Sequence, residues 1–232
     1  MMKIEVLFPE LCNLFGDISN MKYLQQCLPD AEFINTSIEE VPYFVENSVN
    51  LIYLGPMTEK MQEKVIQKLL QYKEKIQELI NKDVVFLFTG NAMQVLENYI
   101  ENEDGSKVEG LGIINLHSKR DMFNRYNCLF TGEFEDIEIV GFKSQFTMEY
   151  GENKENYFIK TTKGIGINKE SNLEGIRIRN FFGTSLLGPI LILNPLFTKK
   201  ILKLMGINEP KLAFEEECMK AYEIRLEEFK SL

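Results

Sequence analysis

Val84-Val-Phe-Leu-Phe-Thr-Gly-Asn-Ala-Met-Gln-Val-Leu96 is the stretch on which the fold turns. Val84 to Phe88 is an unbroken apolar run, the pattern of a strand buried on both faces. Thr89, Gly90, Asn91 and Ala92 are small or turn-forming, and Met93 to Ile100 reads as an amphipathic helix. Strand, sharp turn and helix together make the elbow that, in many enzymes, lifts a nucleophile clear of the sheet. Here the residue at the turn is Gly90, which has no side chain and leaves room where a nucleophile would stand.

Upstream, Lys3 to Phe8 predicts a first strand ended by Pro9. Asp17 or Ser19 is offered as the cap of a helix beginning near Asn20, with Met21, Leu24 and Leu28 on one face and Pro29 as its stop. Ala31–Ile34 and Asn50–Leu54 predict two more strands. Thr58 to Lys82 carries Met61, Val65, Leu69, Tyr72, Ile76 and Ile80 at three- and four-residue steps, which predicts one long amphipathic surface helix.

Downstream the period changes. Leu129–Phe134, Ile137–Phe142 and Tyr157–Thr161 are short and β-like, separated by glycines and charged turns. Arg177 to Phe182 leads into Gly183-Thr-Ser-Leu-Leu-Gly-Pro189. Asn194-Pro195 opens a helix to Leu204 that Gly206 closes, and Phe214–Phe229 predicts a last acidic helix. Strands alternating with helices imply an α/β fold: a mostly parallel sheet with helices on both faces, and an antiparallel β-rich portion in the middle. The expected organisation is one domain over residues 1–205 with residues 206–232 as its helical extension.

Of the 232 residues, 44% are hydrophobic and the net charge is −9. That balance argues against non-specific binding of nucleic acid or an anionic membrane, both of which need a positive field. The four cysteines (Cys12, Cys27, Cys128, Cys218) form no CxxC pair and His117 is the sole histidine, so neither a zinc site nor any other metal or cofactor is expected. The first residues lack the apolar core of a signal peptide, and no uncharged apolar run of about 18 residues occurs. The expectation is a cytoplasmic protein with reduced thiols.

Five stretches, in order, resemble a class I glutamine amidotransferase domain of the cobyric-acid-synthase-like branch, and within it the glutaminase subunits of lipid II isoglutaminyl synthases. Leu7-Phe-Pro-Glu-Leu-Cys-Asn-Leu-Phe-Gly-Asp-Ile-Ser-Asn20 is similar to the family's opening Tyr-Pro-x-x-x-Asn-x-Tyr-Gly-Asp-x-x-Asn. Leu51 to Gly55 is similar to the strand before its glycine-rich oxyanion loop, and Phe88 to Leu96 to its elbow Ile-Cys-x-Gly-x-Gln-x-Leu. Val140-Gly-Phe142 resembles the start of Val-Gly-Phe-Glu-Asn-His. Gly183 to Pro189, with Asn194-Pro195, resembles Gly-Thr-x-Leu-His-Gly-Pro and its later Asn-Pro. The likeness spans roughly residues 3–205 and implies a flavodoxin-like α/β fold.

Family chemistry needs a cysteine nucleophile, a histidine to move its proton and backbone N–H groups for the oxyanion. With Gln94 fixing the register, the cysteine position reads Gly90 and the histidine position reads Leu187. The oxyanion loop reads Gly55-Pro56-Met57, and Pro56 has no N–H. The polar triplet after Val-Gly-Phe reads Lys143-Ser144-Gln145. A register error of one would put Thr89 at the turn, with no base apparent beside it. Losing nucleophile or base costs on the order of 10⁴–10⁶ in rate.

The resemblance therefore implies a degenerate glutaminase. The first expectation is a non-catalytic or regulatory subunit of a Mur-ligase-like or other amidotransferase complex. The alternative is a binding protein for an amino acid or carboxylate that uses a relic pocket of Gly55, Pro56, Asn91, Gln94, Arg125 and Gln145. In the resembling family the arginine matched by Arg125 helps hold glutamine; an ordinary surface salt bridge is its other reading. The third is a glutaminase with a displaced nucleophile, for which Cys128 and His117 are the residues available; a buried structural Cys128 and a structural or exposed His117 are their plainer readings. Cys12 reads as a small core residue.

Overall fold

The computed structural model describes residues 1–231. In chain order the elements are β1 (Lys3–Leu7), α1 (Ser19–Cys27), β2 (Glu32–Thr36), β3 (Leu51–Leu54), α2 (Glu59–Leu70), α3 (Lys73–Asn81) and β4 (Val85–Thr89). The middle holds β5 (Tyr99–Glu101), β6 (Lys107–Glu109), β7 (His117–Arg120), β8 (Tyr126–Phe134), β9 (Ile137–Gln145), β10 (Thr147–Tyr150), β11 (Ile159–Lys163) and β12 (Leu173–Glu174). β13 (Ile176–Ile178), β14 (Phe181–Thr184), α4 (Ile190–Leu193), α5 (Pro195–Leu204) and α6 (Glu215–Ser231) complete the chain.

The main sheet runs β13-β14-β4-β3-β1-β2. Every neighbouring pair is parallel except β13 with β14, which adds an antiparallel edge. The strand period of two sends alternate side chains to opposite faces. Ile52, Leu54, Phe86 and Phe88 pack on the side of α2 and α3, with Val65, Leu69, Ile76 and Ile80. Leu51, Tyr53, Val85 and Leu87 pack on the other side with Met21 and Leu24 of α1 and Phe197 and Ile201 of α5. β4 is therefore apolar on both faces, as its run of five predicts. The α/β architecture with helices on both faces follows directly from that pattern.

Three local expectations give way. The long helix over 58–82 is two helices, broken at Gln71-Tyr72, where Tyr72 leaves helical geometry (φ −107°, ψ 9°) and sets its ring edge-on to Phe44 at 6.2 Å. The helix after the elbow is only a 3-10 segment, Gly90–Leu96. Its last carbonyls are taken from outside: Leu111 N–H donates to Val95, Ile113 and Ile114 to Leu96, and Gly112 to Glu97, all at 2.8–2.9 Å. With those acceptors filled by a neighbouring loop, the α-helical i to i+4 ladder has nothing to grow on. Finally, neither Asp17 nor Ser19 caps α1 through its side chain; Asp17 is buried and serves the site described below.

The β-rich middle forms two four-stranded sheets, β10-β7-β5-β6 and β12-β11-β8-β9, antiparallel apart from the β5–β7 pair. The second sheet is fused to the main core by a cluster of Phe134, Phe158, Phe182 and Phe197, whose rings meet at 5.0–5.9 Å. α6 closes over it: Tyr222 and Leu226 pack on Val140, and the Tyr222 hydroxyl donates to the Glu138 carbonyl at 2.6 Å. Among the described residues no helix is long and apolar enough to cross a membrane.

Candidate functional site

The elbow has the backbone geometry of a nucleophile turn. β4 ends at Thr89 and Gly90 follows with φ +58°, in the left-handed region. The space above it is not empty, which corrects the expectation of room for a side chain. A Cβ built on Gly90 would stand 2.6 Å from Pro56 Cβ and 3.1 Å from Leu187 Cδ2. Gly90, Pro56 and Leu187, the three residues that the motif resemblance sets at the family's nucleophile, oxyanion loop and base, pack against one another.

Each wall of this contact is held in place. Asn91 accepts the Met57 N–H on Oδ1 at 3.0 Å and donates to the Met57 carbonyl at 2.8 Å, clamping the 55–57 loop to the elbow. Leu14 N–H donates to Pro56 O at 2.9 Å. Gly55 lies tight under the loop, since a Cβ there would meet the Cys12 carbonyl at 2.5 Å. Leu187 N–H donates to Phe142 O at 2.8 Å, tying Leu187 to β9. Pro56 offers no N–H and that of Met57 is engaged by Asn91, so this loop presents neither as a free oxyanion donor.

Beneath the elbow sits a buried polar knot. Asp17 Oδ2 accepts from Thr89 Oγ1 and Tyr53 OH, both at 2.6 Å, and from Asn20 Nδ2 at 3.0 Å. Asn20 Oδ1 in turn accepts the Leu191 N–H at 2.9 Å. The Gly-Asp-x-x-Asn motif thus joins the ends of β3 and β4 to the start of α4. Burial pushes the Asp17 carboxyl up, against the pull of these donors. Thr89 does have a carboxylate beside it, contrary to expectation. Yet Thr89 is fully buried and absent from the cavity wall, on the wrong side of the turn for a nucleophile.

A cavity of about 300 Å³ opens over the elbow, lined by Pro56, Gly90, Asn91, Gln94, Arg125 and Gln145 among others. Five of the six residues expected in the relic pocket meet there; Gly55 does not reach the wall. Leu14, Phe15, Met57, Phe146 and Leu187 make the lining mostly apolar. Phe15 is 56% exposed at φ +59°, an uncommon conformation for a bulky residue. The Arg125 guanidinium lies over the Phe146 ring at 4.4 Å, and among the described residues no carboxylate comes within ion-pair reach of it. The expected alternative of a surface salt bridge is therefore not what holds it.

Gln94 is committed inward. It accepts from Gln62 Nε2 at 3.0 Å and donates to Glu149 Oε1 at 2.8 Å. Behind it lie four fully buried titratable groups, Glu97, Glu149, Glu174 and Lys143. Lys143 bonds Glu174 and donates to Gly166 O at 2.6 Å; Glu174 also accepts from Thr184 Oγ1 and Ser185 N–H, both at 2.9 Å. Burial pushes Glu149 up to about 7, with Lys143 pulling it back and Glu174 adding to the rise. Burial, then the Glu149 charge, raises Glu97 well above the carboxylate range. Glu97 and Glu149 each keep one buried oxygen without a partner. Strand alternation places Lys143 on the inward face with Ile139 and Gly141, which is the signal in the sequence that this lysine is buried. Nothing in the sequence names its partner on β12.

The residues named for a displaced glutaminase do not converge. His117 is stacked between Tyr99 (4.9 Å) and Tyr150 (5.8 Å), and burial followed by Lys119 lowers its pKa. Cys128 is half-buried on β8, Cys12 is buried with its thiol 3.7 Å from Met57 Sδ, and neither lines the cavity. Burial pushes the Cys12 thiol far up, so it is inert. Among the described residues no group of three His, Cys, Asp or Glu side chains is gathered as for a metal ion.

Comparison with known proteins agrees with this architecture. The family profile described as the CobB/CobQ-like glutamine amidotransferase domain matches residues 3–193. A lipid II isoglutaminyl synthase (glutamine-hydrolyzing) subunit GatD from Streptococcus pneumoniae is 26% identical over 198 residues, 83% of this chain and 76% of the relative. The subunit of the same name from Staphylococcus aureus is 27% identical over 194 residues, 82% and 79%. PurLQS from Thermotoga maritima superposes with TM-score 0.57 at 12% identity, over 88% of this chain and 97% of that one. A crystal structure of a glutamine amidotransferase gives 0.53 at 12% identity, over 88% and 99%. At such identity these two structures speak for the fold alone.

Proposed function

The chain belongs to the CobB/CobQ-like glutamine amidotransferase family, and from that premise we propose that it is a member without glutaminase chemistry, serving as a structural or regulatory subunit of a synthetase complex. One observation carries the proposal: Pro56 and Leu187 occupy the volume that a Cβ on Gly90 would need. A nucleophile, a base and an oxyanion donor have been replaced by groups that pack on each other, and such packing is a stable arrangement in its own right. The motifs that survive, Asp17 to Asn20 and Asn194-Pro195, hold elements together and touch no reacting atom. Both curated relatives are by name glutamine-hydrolyzing subunits of lipid II isoglutaminyl synthase, which makes a synthetase of Mur-ligase-like type the partner we propose. Affinity purification from the protein's own cells tests this: a stoichiometric synthetase supports it, and recovery of the chain alone counts against it.

A second reading concerns the cavity, which persists over the elbow with Arg125 unpaired at its wall. It supports binding of a small amino acid or carboxylate. Ligand-induced stabilisation in a thermal-shift series would support it, since a ligand that binds only the folded chain raises its apparent stability.

A further inference from the structure

We infer that Cys27 and Cys218 are a redox-responsive pair, and that a disulfide between them staples the C-terminal helix α6 to α1 on the main sheet.

All four cysteines are free thiols, and among the described residues two of them come together. Cys12 lies against Met57 instead, and Cys128 against Tyr126. Cys27 is the last residue of α1, and Cys218 stands in the first turn of α6. Ala213, just before α6, is held between them. Its N–H donates to Cys27 Sγ at 3.3 Å, and its carbonyl accepts from the Cys218 thiol at 3.9 Å. The Tyr23 hydroxyl completes the cluster: it donates to the Ala213 carbonyl at 3.0 Å, stands 3.5 Å from Cys218 Sγ and bonds the Cys27 sulfur as well. Two sulfurs that meet one hydroxyl and the two polar backbone groups of one residue are neighbours. A disulfide needs their Cα atoms about 4.4–6.8 Å apart, and both cysteines sit at helix ends, which fray and adjust most readily.

The chemistry is a two-step exchange with a low-molecular-weight disulfide as oxidant. Cys27 is half-buried and is the sulfur that solvent reaches, whereas Cys218 is buried. The Cys27 thiol gives its proton to solvent and attacks one sulfur of the oxidant, whose other half leaves as a thiolate. Cys218 then gives up its proton and attacks the Cys27 sulfur. The Cys27–Cys218 bond forms, the bond from Cys27 to the retained half breaks, and that half leaves as a second thiolate. Two protein thiols are oxidised by two electrons and one disulfide is reduced. Burial raises the Cys27 thiol, while the Ala213 N–H and the Tyr23 hydroxyl pull it back down. Exchange is therefore slow near neutral pH, and the pair answers a sustained oxidising poise rather than a brief one.

The bond acts on the whole chain. It closes a loop from residue 27 to residue 218, most of the sequence, and long loops lose the most unfolded-state freedom. It also joins two layers, since α1 packs on the main sheet and α6 covers the second sheet through Tyr222 and Leu226. α4, which follows Leu187, touches both helices.

Incubation of the folded full chain in mixtures of oxidised and reduced glutathione tests the pair, with an acid quench, alkylation of the remaining thiols and peptide mapping without reductant. The expected product is a linked Cys27–Cys218 peptide with Cys12 and Cys128 alkylated. Oxidation should lower the unfolding equilibrium constant at a given urea concentration at least about tenfold relative to the reduced chain. In Cys27→Ser and in Cys218→Ser that difference between oxidised and reduced samples should vanish. Each variant is its own reference, so a change in its basal stability does not enter. Glutathione left on Cys27 with no linked peptide overturns the pair, as does a chain that stays reduced across the series or a bond that takes in Cys12 or Cys128. A linked peptide without the urea shift overturns the staple.

Discussion

Gly90 concentrates the argument at the scale of single residues. Its φ of +58° and its contact with Pro56 make any side chain there doubly unfavourable. Gly90→Cys should restore no glutaminase activity and should cost about 2–4 kcal/mol in urea unfolding, from overpacking and the left-handed backbone together. Pro56→Gly in the same chain should recover part of that loss. Lys143 offers a second case. Lys143→Met leaves Glu174 as an uncompensated buried charge and should cost about 3–5 kcal/mol. Lys143→Met with Glu174→Gln should cost distinctly less than the sum of the two single changes, a coupling that a double-mutant cycle reads directly.

Among elements, the segment from β14 to α5 shows how motif residues work as fasteners. Asn194 accepts the Val140 N–H at 2.8 Å and donates to the carbonyls of Val140 and Ile190, both at 2.9 Å, pinning the α4–α5 junction to β9. Asn194→Ala would orphan buried backbone groups of Val140 and should lower stability by about 2–4 kcal/mol in chemical denaturation, with the same unfolding m-value. The sequence reads α5 well because Pro195 at the first helical position and Gly206 past the end are local signals. The failures share one cause. The segment after the elbow is apolar with near-helical spacing, yet its carbonyls are bonded by residues 110–114, a tertiary fact that no local pattern encodes. Asp17 looks like a cap by residue type, and only the fold reveals Tyr53 and Thr89 as its partners.

At the scale of the whole molecule, the two-faced sheet is legible in the alternation of β3 and β4, and the elbow in Thr89-Gly90-Asn91. The reading of Gly90 and Leu187 as emptied nucleophile and base positions rests on the motifs around them. What stays hidden is that Pro56 and Leu187 close on Gly90, and that four titratable groups lie buried behind Gln94. That buried cluster has a thermodynamic consequence. Glu149 is raised to about 7 in the folded chain by burial, so the folded state holds its proton where the unfolded state has released it. Its contribution to stability is complete below about 4.5 and is lost as pH rises to about 7. Chemical denaturation over that window should show stability falling less steeply in Glu149→Gln than in the parent chain.

Loss of glutaminase chemistry from an intact amidotransferase scaffold is most directly tested by ammonia release from L-glutamine, measured on this protein purified together with whatever binds it in its own cells. The prediction is a rate no higher than the buffer background, unchanged by Thr89→Val or Cys128→Ala. Turnover above background that either substitution in this chain abolishes would contradict it.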